Sequence, residues 1–372
     1  MTLAAPTLRP SPLAPHPSLL AFIQGPNRSH NITQALSLIT GEIEWQNLQH
    51  LLIKPNFVAT DRQLPSTHPD AIRAVLAFVR THYDGPITIA EGSALTNTWE
   101  GFHHFGLPDM ARQYEASLLD LNNDETISVQ VYDRRLRPMT LRLARTVVAA
   151  DFRISVGPPK THDTVIVTLS LKNMIMGSLV NRRVAGQNGR HHRPQTFHPA
   201  RLLPRFIKQS WFIQYARAKL NIGQQSDKMA MHQSYPIINL NLAMIAPWVK
   251  PHLAVIDGFQ AMEGAGPLDG DPVDWRVAFA GTDAFALDCL VARLMDFEPM
   301  DIGYLNYCAR LELGTADPDP AAINSNIPLA GLHRHFCPHP TYEQQRQWHI
   351  PNIEAWLRPA TAVDIEEELL IT

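Results

Sequence analysis

Cysteine is scarce in this chain. Cys289, Cys308 and Cys337 are its three cysteines in 372 residues, and no two form a CxxC pair. That argues against a disulfide framework, a cysteine-rich zinc site and an intrinsic iron–sulfur cluster. The odd, sparse usage fits a reducing compartment. Long apolar runs are missing too, and none approaches the roughly 18 residues needed to span a bilayer. The first twenty residues lack the basic start and continuous apolar core of a secretory signal, so a cytoplasmic location is expected. Net charge is only −3, which gives no global pull toward nucleic acid or membrane. The chain also has no GxGxxG, no Walker A loop and, among 17 histidines, no HExxH, so neither nucleotide nor zinc binding is indicated.

What is present is a strand–loop–helix rhythm from about residue 50. "HLLIKPNFV" reads as a strand ending in a polar loop. "STHPDAIRAVLAFVRTH" reads as a helix with Ile72, Val75, Leu76 and Val79 on one face. Thr67 and Asp70 resemble a capping box there, with Pro69 in the first turn. "GPITIAEGS" and "ARTVVAADFRISVG" supply further strands, "TNTWEGFHHFG" a short helix. "HLAVIDGFQAMEGAGPLDGDPV" is a strand with a Gly-rich loop, and "RVAFAGTDAFALDCLVARLMDF" is strand, turn and helix. Such alternation predicts an α/β fold: parallel or mixed sheets with flanking helices, arranged as two lobes with a cleft between them. Residues 1–45 read as an N-terminal tail and lead-in, 46–305 as the α/β region, and 306–372 as an irregular extension.

One stretch concentrates polar groups at the ends of a buried run. "GPPKTHDTVIVTLSLKNMIMGS" opens with Lys160, Thr161 and His162 and closes with Lys172 and Asn173. Ten residues of strand span about 33 Å, and ten of helix about 15 Å. Either the chain folds back between His162 and Lys172, or the two serve different ends of a site. A buried strand with polar caps is the plainer alternative. Ligands of open α/β sheets gather at the carboxyl ends of strands. That rule selects Lys54, Asn56, Glu91, Ser93, Asp257 and Asp283 as candidate binding residues, although each alone also suits a turn. Gly264 and Gly266 permit close backbone approach to a ligand or simply tight turns. Glu263 is a candidate base or metal ligand, and His232 borders a core element. Lysines suit a carboxylate or phosphate, and a histidine suits proton transfer near neutral pH. The expected function is therefore an enzyme acting on a small anionic molecule, with His162, Lys172 and Glu263 as catalytic candidates.

Residues 178–232 differ in composition. Between Ser178 and Lys228 lie ten basic residues and one acid, a net +9 in a chain of −3. Phe197, Phe206, Trp211, Phe212 and Tyr215 are interleaved. This basic insertion reads as a lid paired with the acidic remainder, as a nucleic-acid-binding segment, or, through "LLPRFIKQSWFIQYARAKL", as a surface for anionic membrane. Oligomeric state leaves no mark in the sequence.

Taken together, "KPNFV", "PPKTH…VTLSLKNMIMG", "VIDGFQAMEGAGPLDG" and "AGTDAFALDCLVARLM" closely resemble the domain-of-unknown-function 362 family over roughly residues 50–305. The resemblance implies a fold and a place for a site, not a reaction. Some members carry a ferredoxin-like iron–sulfur segment, and this chain lacks its cysteines. A more distant likeness joins "ITIAEGSALTNTWEGFHHFG" and the ten-residue His162–Lys172 spacing to the nickel-dependent lactate racemases. There the lysine anchors a nickel pincer nucleotide and histidines act as acid–base pair and metal ligand. That likeness implies a nickel-type or other metal cofactor and isomerase- or redox-type chemistry. Ser93 or Ala94 stands where the racemases have a catalytic histidine.

Overall fold

The computed structural model describes residues 19–181 and 226–363. Strand β1 (Leu20–Gln24) leads into helix α1 (Arg28–Ser37), β2 (Leu51–Lys54) into α2 (Pro69–Arg80), and β3 (Ile87–Glu91) into α3 (Thr98–His104) and α4 (Leu107–Gln113). Then come β4 (Ala116–Asp120), β5 (Thr126–Tyr132), β6 (Pro138–Ala144), α5 (Arg145–Ala149), β7 (Phe152–Gly157), β8 (Lys160–His162), β9 (Ile166–Thr168) and α6 (Ser170–Ser178). The chain continues through α7 (Asp227–Ala230), α8 (Tyr235–Val249), β10 (Leu253–Glu263), β11 (Asp271–Gly281) and α9 (Ala284–Leu294). It closes with α10 (Gly303–Arg310), β12 (Ile323–Ser325), α11 (Tyr342–Gln345) and β13 (Thr361–Ala362).

Most strands join one mixed, ten-stranded sheet in the order β12-β1-β11-β10-β7-β2-β3-β4, with β8 added beside β10 and β9 beside β8. Along that order β11 alone runs against its neighbours. Burial on both faces explains why these strands read as near-continuous apolar runs. Period-two alternation then sorts the side chains. Leu51, Ile53, Ile154 and Val156 pack with Ile32, Val75 and Phe102 on one face. Leu52, Ile256 and Phe279 pack with Met174, Ile245 and Leu287 on the other. Helices α1 to α4 therefore cover one side, and α6, α8 and α9 the other. Lys54 follows Leu52, and Ser155 sits between Ile154 and Val156, so both face α6.

Several expectations are revised. The lead-in before residue 46 holds β1, which pairs with β11 inside the large sheet. The C-terminal extension supplies the edge strand β12 and, in β13, a strand of the small β13-β5-β6 sheet. Indole N–H groups pin that extension: Trp275 Nε1 donates to Leu332 O, Trp248 Nε1 to Ala360 O, and Trp348 Nε1 to Asp301 O, each at 2.7 Å. The "ARTVVAADFRISVG" run does contain a buried strand, β7, and the short helix α5 precedes it, where Asp124 accepts from the backbone N–H and hydroxyl of Thr146. At α2 the cap is His68, whose Nδ1 accepts from Asp70 N. Thr67 instead donates to Val156 O at 2.8 Å and accepts from Asn56 N at 2.7 Å, tying the loop after β2 to β7. Two lobes with a cleft do not appear among the described residues: one continuous sheet underlies the candidate site. No helix among the described residues is long and apolar enough to cross a membrane.

Candidate functional site

The chain does fold back between His162 and Lys172. Strands β8 and β9 form a hairpin in which Lys160 faces Thr168, Thr161 faces Val167, and His162 faces Ile166. The turn contains no glycine, and Ile166 adopts a left-handed φ of 67°. Gln345 compensates from α11: its Oε1 accepts from Ile166 N and its Nε2 donates to His162 O. Leu169 then ends the hairpin and α6 begins. Leu169 offers no side-chain cap. The Asp288 carboxylate, on α9, accepts from Ser170 N at 2.9 Å and Leu171 N at 2.8 Å instead. Burial pushes the Asp288 carboxyl up to about 7, against those two backbone donors.

This arrangement brings Lys172 Nζ to 2.8 Å from His162 Nε2, with both side chains buried. On its other edge, His162 Nδ1 lies 3.0 Å from Thr164 N and 3.1 Å from Asp163 Oδ1. Two proton arrangements follow from the donor inventory. When Nδ1 accepts from Thr164 N–H, a neutral ring carries its proton on Nε2 and donates to an uncharged Lys172 amine. When Lys172 is an ammonium it donates to Nε2, and the ring proton moves to Nδ1, facing Asp163. Burial lowers Lys172 to about 8, with Asp163 opposing and Lys54 adding to the shift. Burial, followed by the charge of Lys172, holds the His162 imidazolium well below its ordinary range. Both groups are thus biased toward their neutral forms, a state in which one can take a proton and the other relay it.

A second network adjoins the pair. Lys54 is fully buried and spends its three donors on Pro55 O at 2.7 Å, Glu91 Oε2 at 2.9 Å and Asn173 Oδ1 at 3.0 Å. Gly177 makes room for it, since a Cβ there would lie 1.6 Å from Lys54 Cε. Lys160, also fully buried, donates to Asn56 Oδ1 and to Pro65 O. Asn56 Nδ2 donates to Asn173 Oδ1 at 3.0 Å, and Asn173 Nδ2 to Ser155 Oγ at 3.0 Å. Lys228, from the start of α7, donates to the α6 carbonyls of Met176 at 2.6 Å and Gly177 at 3.1 Å. Burial lowers Lys228 to about 7 and also depresses Lys54 and Lys160. Among the described residues four buried lysines thus lie on or against α6, and the carboxylate hydrogen-bonded to one of them is Glu91; Asp163, Asp120 and Asp227 act on them from farther away.

The other candidates have different partners. Ser93 accepts nothing from the lysines; its N–H donates to Thr98 Oγ1, and its hydroxyl lies 3.3 Å from Thr96 Oγ1. Thr161 Oγ1 donates to Gly264 O, and a Cβ on Gly266 would lie 2.1 Å from Thr161 O, so both glycines press the loop after β10 onto β8. Glu263 Oε2 accepts from Cys337 N at 2.8 Å. Asp257 pairs with Arg28 at 3.0 Å. Asp283 caps α9 through Phe285 N and Ala286 N. His232 is exposed, with Nδ1 2.9 Å from Lys228 O, and its charge still depresses His162. Sequence reasoning passed over Ser155, Asp288 and Gln345, and did not single out Lys228. Lys228 had been counted with the basic insertion, most of which, 182–225, lies outside the described residues, as do the nucleic-acid and membrane readings built on it.

A metal centre is not supported by these donors. Both ring nitrogens of His162 are engaged, and among the described residues no three His, Cys, Asp or Glu side chains converge as a ligand set. A pocket of about 10 Å³, room for one water, opens beside Asn56, Ser155, Gly157, Thr168, Ser170 and Asn173. A larger open hollow of about 390 Å³ lies elsewhere, at Gln24, Trp275, Arg276 and Arg334, away from the lysines.

Comparison with known proteins adds the following. The model of a family described as a domain of unknown function (DUF362) matches residues 51–293. A thylakoid-associated protein of Synechocystis sp. is 22% identical over 213 residues, 57% of this chain and 50% of that protein. The chain thus spans about half the length of the curated relative it matches. Among solved structures, the lactate racemase apoprotein of Thermoanaerobacterium thermosaccharolyticum is similar with a TM-score of 0.31 and 16% identity, covering 43% of this chain and 39% of its own. A protein from Thermotoga maritima is similar with a TM-score of 0.38 and 12% identity, covering 78% and 60%. Neither structural likeness is close enough to inform the chemistry.

Proposed function

The chain belongs to the DUF362 family, and from that premise we propose that it is an enzyme that binds a small carboxylate or phosphate and moves a proton on it through Lys172 and His162. The observation that carries this reading is the 2.8 Å contact between the Lys172 amine and His162 Nε2 in a buried setting. A lysine brought to about 8 is about one-tenth unprotonated at pH 7 and about half at pH 8, which makes it a competent base. With the ring proton on Nδ1, the neutral Lys172 amine donates an N–H to Nε2 and keeps its lone pair for a substrate proton; Nε2 then accepts a proton from the Lys172 ammonium while the Nδ1 proton leaves beside Asp163, which carries the charge outward. Buried lysine donors clustered at α6 suit an anionic ligand. Deprotonation of a carbon next to a carboxylate or carbonyl, as in an isomerase, suits this pair without a metal-bound step.

The test is hydrogen exchange into substrate. A panel of small carboxylic and phosphorylated acids is incubated with the protein in D2O, and NMR reads loss of carbon-bound protons. Exchange is expected for at least one class, rising as pH passes about 8, where Lys172 loses its proton. Lys172→Met and His162→Gln should each abolish it. Exchange that survives both substitutions would refute the assignment.

A further inference from the structure

The one-water pocket beside α6 differs from an ordinary packing defect in what lines it. Thr168 Oγ1 is buried, the residue being 2% exposed, and has no hydrogen-bond partner. A buried hydroxyl without a partner costs free energy unless something occupies the space it faces. Thr168 stands opposite Lys160 in the β8–β9 hairpin, so the two side chains share a face. The two carboxamides in the lining are oriented by lysine side chains. Asn56 Oδ1 accepts from Lys160, and Asn173 Oδ1 accepts from Lys54 and from Asn56 Nδ2. With the oxygens held by the lysines, each NH2 group keeps a second N–H that has no acceptor among the described residues. No carboxylate lines the pocket. Gly157 and Asn56 are the lining residues with partial exposure, and a Cβ on Gly157 would sit 3.3 Å from Asn56 Cβ and 3.6 Å from Asn173 Nδ2.

We propose that this pocket is an oxyanion subsite that takes one oxygen of a small carboxylate or phosphate, donated to by Thr168 Oγ1 and the spare N–H groups of Asn56 and Asn173. Lys160 and Lys54 stand behind the amides as donors, and a bound anion would favour their charged forms. The pocket admits a single oxygen atom, so the rest of the ligand lies outside, past Gly157. The inference deepens the anionic-substrate reading, because it says where the acid group sits and which atoms hold it, while leaving the proton-transfer role of Lys172 and His162 to be judged separately.

The experiment is calorimetric titration of the full chain with inorganic phosphate and, separately, with acetate. Saturable binding of one or both is expected, and the preferred anion tells phosphate from carboxylate. Thr168→Val, which keeps the shape and removes the hydroxyl, should weaken binding about tenfold. Thr168→Ser should retain it. Gly157→Ala leaves every polar lining atom in place and crowds the partly exposed side of the lining, so it should weaken binding as well. Unaltered affinity in both Thr168→Val and Gly157→Ala, or no saturable binding of either anion to the native chain, would overturn the proposal. Thr168-dependent binding without exchange in D2O would uphold this subsite and remove the acid–base reading instead.

Discussion

Replacing Lys172 by methionine should change how stability depends on pH, in a direction and size that the burial of this lysine sets. An exposed lysine titrates near 10.5, and Lys172 is brought to about 8. At about 1.4 kcal/mol per pH unit, keeping it charged in the folded state costs about 3 kcal/mol. Below pH 8 it is protonated in both the folded and the unfolded chain, and the whole cost is present. Between about pH 8 and 10.5 the folded chain has given up the proton while the unfolded chain still holds it, so stability rises with pH through that window. Methionine has similar bulk and no charge. It orphans His162 Nε2, a cost of about 1–3 kcal/mol that does not vary across this range. Lys228, lowered to about 7, has the same sign of effect and is present in both proteins, so it cancels in the comparison. Urea denaturation followed by tryptophan fluorescence at pH 7, 8, 9 and 10 measures both chains. The wild type should gain up to about 3 kcal/mol relative to Lys172→Met as the pH rises. Parallel curves, with a difference constant to about 0.5 kcal/mol, would show that Lys172 does not lose its proton early and would refute the argument.

Three further outcomes are expected. Lys54→Met and Glu91→Gln should each destabilise by about 3–5 kcal/mol, since each strands a buried partner, and the double substitution should cost less than the sum; additive losses would show that the two groups are not coupled. Gly177→Ala should lower stability by roughly 3 kcal/mol or prevent folding, because its methyl would lie 1.6 Å from Lys54 Cε; an unchanged melting temperature would contradict that packing. Gln345→Ala should orphan Ile166 N and His162 O, at about 1–3 kcal/mol. Amides of the β8–β9 hairpin should then exchange faster with deuterium, and unchanged protection would mean the hairpin holds without α11.

How much of this was legible before the structure depends on how local the cause was. The strand ends at "KPNFV" and "ITIAEGS" were readable because apolar runs followed by polar turns are local signals, and Lys54, Asn56 and Glu91 do meet there. Asn56 also joins Lys160 and Asn173 in one network, whereas Ser93, Asp257 and Asp283, chosen by the same strand-end rule, have other partners. The hairpin that unites His162 with Lys172 was not readable. Its turn has no glycine or proline, and the left-handed Ile166 is held by Gln345, 179 residues away in a segment with no periodicity. The start of α6 was hidden for the same reason. Leu169 cannot cap a helix, and the carboxylate that does so comes from Asp288, 118 residues on. Lys228 was misread by composition. Counted as the last cation of the basic insertion it looked like solvated charge, yet α6 ends on carbonyls that need a donor, and the lysine supplies it from inside the core. These cases share one cause. Each unforeseen contact satisfies a backbone group or a charge that α6 and its hairpin leave exposed, and the partner lies far along the chain. The site residues that pattern could find were those at strand ends; the ones it missed hold the helix that carries Lys172 in place. The position of the Lys172 amine is therefore set by long-range polar contacts, and a substitution at Gln345 or Asp288 should disturb the 2.8 Å contact with His162 without touching either residue of the pair.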